Sequence, residues 1–293
     1  MTKIAFLGTG AMGSRMATKL MDAGHDLTIW NRSLERTQPL AGGGATIAQT
    51  PRKAVVEADV VFSMVRDDDA SSAVWLDEYD GALAFLKPDA IGVECSTLSL
   101  EHIRKLGNEF ERAGRALLDA PVAGSRPQVE AGQLIFFVGG AVDALQKTRP
   151  LLELLGGAVH HAGESGAGTT IKLMVNALFG TQLAVMAELI GFARKAGVEV
   201  EKAIEILGTT PVCSPAAKIS AMAMLAGNYA PAFPIDLVVK DFNLITQTAS
   251  NLSAQTPVSN TAGAVYEKGI TKGFGDDNIT GIVQIYEKIF DLP

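Results

Sequence analysis

Hydrophobic and polar positions follow two regimes along the chain. In the first half, short apolar runs alternate with amphipathic stretches. Lys3 to Leu7, Leu27 to Trp30, Val60 to Met64, Ile91 to Glu94, Ala116 to Leu118 and Leu134 to Val138 read as strands. Met12 to Ala23, Pro51 to Ala58, Ala70 to Trp75, Leu100 to Ala113 and Val142 to Leu155 carry helical spacing. Alternation of this kind predicts an α/β domain built on a doubly wound, largely parallel sheet. From Glu164 to Gly197 the pattern changes. Between Ile171 and Ala193, 16 of 23 residues are apolar with no proline among them, and Arg194, Lys195 and Gly197 form a helix-ending signature. One helix of about 30 residues is expected, roughly 45 Å long at 1.5 Å per residue. Its apolar residues cover most of the circumference, so neighbouring helices are expected to wrap it. Beyond it only helices follow, at Val200 to Leu207, Ala216 to Leu225, Ile235 to Ser250, Val258 to Gly269 and Asn278 to Phe290. The expected domains are therefore 1–163 and 164–293, the second all-helical and beginning with the long helix.

The first strand runs directly into Gly8-Thr9-Gly10-Ala11-Met12-Gly13, and a helix follows. A G-x-G-x-x-G motif between a strand and a helix marks a Rossmann-type dinucleotide site: the glycines allow a tight turn and close approach of backbone to a pyrophosphate facing the helix N-terminus. The second strand ends in Asn31-Arg32-Ser33. An acid there would bind the adenosine ribose and repel a 2′-phosphate. Arg32 can instead pair with that phosphate, with Asn31 and Ser33 adding hydrogen bonds, so NADP is favoured with NAD possible. The alternative is that Arg32 points only to solvent.

Ligands of such sheets bind beyond the carboxyl ends of the strands, which singles out Met64-Val65-Arg66 and Cys95-Ser96-Thr97. Arg66-Asp67-Asp68-Asp69 superficially suggests a metal cluster, but consecutive aspartates cannot all face one ion; acids complementing a helix N-terminus are the better reading. Asp119 to Pro127 forms an unusual loop whose small residues around Gly124 can expose successive backbone N–H groups to a carboxylate. An ordinary turn with two prolines is the alternative. His160 and His161 read as linker residues at the domain edge, without metal-ligand spacing around them.

In the long helix, Lys172 and Asn176 lie four apart on one face. A lysine on an apolar helix commonly snorkels into solvent; partly desolvated in a cleft, its pKa can instead fall towards neutrality. Lys172, Asn176, Gln182 and Glu188 also interrupt the apolar run, which argues against a membrane span of about 18 or more residues. Lys240 and Asp241, in I-D-L-V-V-K-D-F-N, could form a surface pair, or Lys240 could face a cleft between the domains.

Composition narrows the function classes. With 32 acidic and 25 basic residues the net charge is -7, and no run of cations is present to bind nucleic acid. The two cysteines, Cys95 and Cys213, form neither a disulfide framework nor a zinc pattern. The first residues pass from a strand into glycines without a leader-like apolar region, so a reducing cytoplasm is expected.

Taken together, F-L-G-T-G-A-M-G-S-R-M-A, D-A-P-V-A-G-S with A-G-Q-L, G-A-G-T-T-I-K-L-M-V-N and K-D-F-N resemble, in order and across essentially the whole chain, the β-hydroxyacid dehydrogenase family, which includes 3-hydroxyisobutyrate dehydrogenase, tartronate semialdehyde reductase and glyoxylate/succinic semialdehyde reductase. The resemblance implies that Lys172 is the catalytic lysine and Asn176 its helper. It makes Ala123, Gly124 and Ser125 the substrate anion loop, Thr97 a nicotinamide-side contact and Lys240 a cofactor contact closing the cleft. It also implies a homodimer or homotetramer. The family usually has Ser-Gly-Gly at positions 123–125 and a proline where Arg66 stands, departures that bear on the substrate more than on the reaction.

The expected chemistry is hydride transfer between nicotinamide and a small 3-hydroxy acid or its semialdehyde, with Lys172 exchanging the proton. An imine reductase shares the glycine motif and the W-N-R-S-type turn but typically lacks the lysine. A catalytically silent dinucleotide-binding protein is the reading from another class.

Overall fold

The computed structural model describes residues 1–287, of which Glu287 is described in its backbone alone. Two compact units are present, residues 1–172 and the residues from Leu173 onwards. The first carries strands β1 Lys3–Leu7, β2 Asp26–Trp30, β3 Thr46–Ile47, β4 Val60–Ser63, β5 Ile91–Glu94, β6 Ala116–Asp119, β7 Val122–Ala123, β8 Leu134–Gly139 and β9 Gly156–Gly163. Between them run α1 Gly13–Asp22, α2 Gln38–Gly42, α3 Pro51–Val55, α4 Asp68–Leu76, α5 Leu100–Arg112, α6 Arg126–Glu130 and α7 Val142–Leu155.

The sheet order is β3-β2-β1-β4-β5-β6-β8-β7, with β9 paired to β8. From β3 to β6 all pairings are parallel, whereas β8 runs antiparallel to both β6 and β7. Helices cover both faces, so the inner strands are buried throughout and alternate residues serve two cores. Ile4 and Phe6 of β1 enter one, Ala5 and Leu7 the other. Phe6 stacks on Phe62 of β4 in the first; Trp75 meets Phe110 edge-on in the second.

Three strands depart from the sequence expectation. β3 and β7 are only two residues long, too short to show a period. β9 includes His160 and His161, which pair with Phe137 and Val138 of β8 rather than lying in a linker. Its Gly-Gly-Ala-Val-His-His-Ala-Gly sequence shows no alternation because the strand lies on the sheet edge with much of its length exposed. His161 Nε2 donates to the Gly140 carbonyl at 2.9 Å, a structural bond.

The long helix, α8 Ala167–Lys195, begins in the first unit and continues in the second. The division at residue 172 therefore falls inside the helix rather than before it. The cause is close packing of its first turn on the sheet: a Cβ at Gly168 would stand 2.2 Å from the Phe137 carbonyl oxygen. Further along, Leu183, Ala187 and Ile190 are fully buried. The expected wrapping is only partial, however, since Met174, Leu178 and Phe192 are 60%, 64% and 68% exposed. By length and apolar character alone α8 could cross a membrane, but its buried face forms part of the second unit's core.

That unit adds α9 Val200–Leu207, α10 Pro215–Leu225, α11 Ile235–Asn251, α12 Pro257–Thr271 and α13 Gln284–Glu287. Glycine lets α8 and α11 approach, because a Cβ at Gly180 would meet the Phe242 ring at 2.6 Å. Phe242 stacks on Tyr266 of α12, whose hydroxyl donates to the Gly180 carbonyl at 2.7 Å. The helix expected over 278–290 is instead a tight 3-10 turn, Ile279–Val283, followed by α13; positions 288–290 lie outside the described residues. The turn forms because the Asn278 side chain accepts the Phe233 N–H at 2.9 Å and donates to Thr280 Oγ1 at 2.8 Å, a local alternative to helical bonding.

Candidate active site

Two of the motif's three glycines meet contacts that leave no room for a side chain. Gly8 has φ +100°, and a Cβ there would lie 2.3 Å from the Met64 carbonyl oxygen. At Gly13 a Cβ would lie 2.0 Å from the Gly8 carbonyl oxygen. At Gly10 it would meet nothing within 4 Å. Two glycines thus fold the loop tightly, and the third leaves backbone open to a ligand. Met12 stands at the N-cap of α1 without capping it through its side chain, and no acid lies in the first turn. Together with Ala11, this surface suits a pyrophosphate resting against a helix N-terminus. The residues present fit a dinucleotide.

Asn31 serves as a clasp. Its Oδ1 accepts the Thr9 N–H at 2.9 Å and its Nδ2 donates to the Ser33 carbonyl at 2.9 Å, tying the glycine loop to the end of β2. Arg32 and Ser33 are exposed beside it. Arg36, four residues after Arg32 and absent from the sequence expectation, is exposed too. It lines a cleft of about 680 Å³ together with Thr9, Gly10 and Ala11. The L-E-R spacing after N-R-S was its only signal.

At the ends of β4 and β5 the loops are held by a buried polar network. Glu94 is fully buried; its Oε1 accepts the Ser96 N–H at 3.0 Å, and its Oε2 accepts Ser71 Oγ at 2.9 Å and Trp75 Nε1 at 2.8 Å. Ser96 Oγ in turn accepts the Val65 N–H at 2.7 Å. Since the Ser71 proton goes to Glu94, His102 Nε2, 3.0 Å from Ser71 Oγ, must be a donor. Glu94 thereby fixes Val65 and the loop carrying Thr97, while Met64 abuts Gly8. Burial, reinforced by Glu94, pushes the Cys95 thiol well up, which removes it as a nucleophile at neutral pH. Asp67 caps α4 by accepting the Ala70 N–H at 2.9 Å, as expected for the acidic run. Among the described residues no group of three or more His, Cys, Asp or Glu could hold a metal ion.

On the expected anion loop, Ala123 pairs with Ile135 in β7 and Gly124 adopts φ +121°. Ser125 precedes α6 and gives its N–H to Gln128 Oε1 at 2.9 Å, so this backbone donor is already engaged. Its side chain and that of Gln128 form a capping box over the first turn of α6, the hydroxyl facing the Gln128 N–H beyond full hydrogen-bond geometry.

The catalytic candidates occupy α8, Lys172 in the last position of the first unit and Asn176 one turn on, both half-buried. Within the second unit, Asn176 Nδ2 donates to Asp241 Oδ2 at 2.6 Å, and Lys240 Nζ lies 3.1 Å from Asp241 Oδ1. Asp241 is almost fully buried. It therefore orients the Asn176 amide, a role its place beside Lys240 in sequence did not reveal. α8 itself starts from another buried acid: Asp119 accepts the Gly166 N–H at 2.7 Å and the Thr169 N–H at 2.8 Å. Burial pushes the Asp119 carboxyl above its ordinary range, outweighing these bonds.

Known proteins carry the same organisation. Residues 3–163 match the NAD binding domain of 6-phosphogluconate dehydrogenase, and residues 166–286 match the family described as NAD-binding of NADP-dependent 3-hydroxyisobutyrate dehydrogenase. The NAD-dependent L-serine dehydrogenase of Pseudomonas aeruginosa is 33% identical, with 99% of this chain and 98% of that protein covered. Glyoxylate/succinic semialdehyde reductase 2 of Arabidopsis thaliana, described as chloroplastic, is 30% identical over 96% of this chain and 78% of its own length. The structure of Mycobacterium tuberculosis 3-hydroxyisobutyrate dehydrogenase with L-serine superposes with a TM-score of 0.90 at 27% identity, covering 97% of this chain and 99% of that one. With two family models spanning nearly the whole chain and a glycine loop built for a dinucleotide, the protein is an NAD(P)-dependent oxidoreductase that belongs to the β-hydroxyacid dehydrogenase family.

Proposed function

We propose that this chain is an NADP-preferring reductase or dehydrogenase of a small 3-hydroxy acid or its semialdehyde, with Lys172 as general acid and base. The observation that carries the reading is Lys172 itself, half-buried on α8 one turn before an asparagine whose amide is already oriented. A cofactor held by residues 8–13 would supply or accept the hydride. Lys172 would give a proton to the carbonyl oxygen in reduction, or take it from the hydroxyl in oxidation. Asn176, held through Nδ2 by Asp241, would assist from one turn along α8 as a neutral group, without adding charge. Arg32 and Arg36, with no acid at positions 31–33, support the preference for a 2′-phosphate.

The presence of Lys172 favours this reading over imine reduction and over a silent dinucleotide-binding protein. Lys172→Ala should lower kcat by at least about 100-fold, the lower end for general acid–base catalysis, while NADP binding and melting temperature persist. The assay compares NADPH and NADH against glyoxylate, succinic semialdehyde, methylmalonate semialdehyde and an imine. A folded variant with near-normal kcat on the best substrate defeats the mechanism. Preferential turnover of the imine defeats the substrate class.

A further inference from the structure

Helix α4 carries a polar face. Asp68, Ser71 and Trp75 stand at i, i+3 and i+7, the spacing of one side of a helix. Each grips the segment at the end of β5. Asp68 Oδ1 accepts the Ser99 N–H at 2.9 Å, while Ser71 Oγ and Trp75 Nε1 donate to Glu94 Oε2 at 2.9 and 2.8 Å. The face a helix turns to its sheet is ordinarily apolar, and polar groups are costly there unless each is bonded. Three of them aimed at one short segment call for a reason beyond packing.

The reason lies in what they enclose. Residues 94–96 and 98–100 are buried, and Thr97 between them is not. Two rungs join this segment to the neighbouring loop after β4, three residues apart on each side. Ser96 Oγ accepts the Val65 N–H at 2.7 Å, and Asp68 accepts the Ser99 N–H. Thr97 lies between the rungs. Val65 in turn places its Cγ1 3.2 Å from where a Gly8 Cβ would stand, so the first rung continues into the glycine loop. Asp68, one of three consecutive aspartates, thus does more than complement a helix N-terminus.

We propose that Ser96 and Asp68 are positioning residues for hydride transfer: their rungs fix the depth of Thr97 beside the glycine loop, so that a bound nicotinamide is presented in one orientation. This rests on the reading of Thr97 as a nicotinamide-side contact. Both residues act through the loops they join, and proton transfer stays with Lys172.

The test separates the hydride step from cofactor binding. In single-turnover stopped flow with NADPH and the best semialdehyde, Ser96→Ala and Asp68→Ala should each slow hydride transfer by at least about tenfold, since a misplacement of about 1 Å can cost about 100-fold. The NADPH dissociation constant should stay within about threefold, because the pyrophosphate rests on the glycine loop. Asp68→Asn keeps an Oδ1 acceptor for the Ser99 N–H and should retain the wild-type rate. A second readout needs no turnover. The emission of bound NADPH reports how firmly the nicotinamide is held; it should fall towards that of free NADPH in both alanine variants and stay at the wild-type level in Asp68→Asn. Wild-type hydride rates and emission in the alanine variants would overturn the assignment. So would a lower melting temperature with turnover per folded enzyme unchanged, which would make the rungs merely structural. Should the wild type bind NADPH yet reduce no semialdehyde, the proposed function falls, and the emission series alone decides whether the rungs hold the nicotinamide.

Discussion

Gly10 and Gly13 occupy the same motif but are there for different physical reasons, and alanine should separate them. At Gly13 the added methyl would lie 2.0 Å from the Gly8 carbonyl oxygen, where real Cβ atoms keep at least 3.0 Å, so loop or helix must move by about 1 Å. The Gly8 carbonyl cannot yield freely, since its neighbouring N–H is bound to Trp30 at 2.8 Å and its own Cα faces the Met64 carbonyl. Overpacking of this kind costs about 1–3 kcal/mol, enough to lower the melting temperature and distort the cofactor loop together. Gly10→Ala should behave in the opposite way. Its φ lies outside the left-handed range and its Cβ meets nothing within 4 Å. The folded state should be unharmed, or gain about 0.4–1 kcal/mol from a stiffer unfolded chain. The methyl would nevertheless stand where the pyrophosphate must approach. Loss of one charge-assisted hydrogen bond, about 1.5–3 kcal/mol, weakens binding by roughly 10- to 100-fold. NADPH fluorescence titration and thermal denaturation on the same preparations give both quantities. A Gly10→Ala protein that binds NADPH as the wild type does would show that the cofactor does not rest on this backbone.

Arg32→Asp should weaken NADP binding while sparing or improving NAD, because a carboxylate replaces the partner of the 2′-phosphate; matched-salt titrations in which both cofactors weaken equally would refute the role. Asp119 makes a pH prediction. Its carboxyl titrates above the ordinary value of about 4 because burial disfavours the charge, so between that value and its folded pKa the native state binds more protons than the unfolded chain, and stability falls as pH rises. Melting temperatures of wild type minus Asp119→Asn should therefore decrease with pH through this window; a difference that grows with pH would mean that the Gly166 and Thr169 bonds dominate instead.

Much of the cofactor half was legible because its determinants are local. A strand of buried residues, three glycines at fixed spacing and a helix require one another within about a dozen residues, so Gly8, Gly10 and Gly13 announce their roles. Ser99, Asp67 and Thr50 cap their helices within three residues of themselves and are likewise readable. The edge strand β9 was not, because its hydrogen bonds to β8 come from across the sheet and its own sequence lacks alternation. The long helix α8 could be drawn from its apolar run, but its exposed face could not: the run is apolar on nearly every side, and only the positions of the other helices decide that Leu183 is buried while Phe192 is not. Arg126 illustrates the same limit at a single residue. Sequence places it just after Gly124 and Ser125, but that its Nε is buried emerges only from the folded chain.

The same distinction sorts the acids. Glu94 and Asp119 are register partners at the carboxyl ends of neighbouring strands β5 and β6, both fully buried, at the end of the sheet where this fold places its chemistry. Such acids would ordinarily be candidates for proton transfer. Their oxygens are nevertheless occupied by structural donors: Ser96 N–H, Ser71 Oγ and Trp75 Nε1 on Glu94, and the Gly166 and Thr169 N–H groups on Asp119. One carboxylate fixes the loops of Val65 and Thr97; the other starts the helix that bears Lys172. Asp241 repeats the device in the second unit, orienting Asn176. Three buried acids thus act as supports, each converting the cost of burying a carboxyl into the placement of a neighbouring segment. Under the proposed reading, Lys172 would then carry the proton without a competing general base at the carboxyl ends of these strands, and Arg32 would set the cofactor preference.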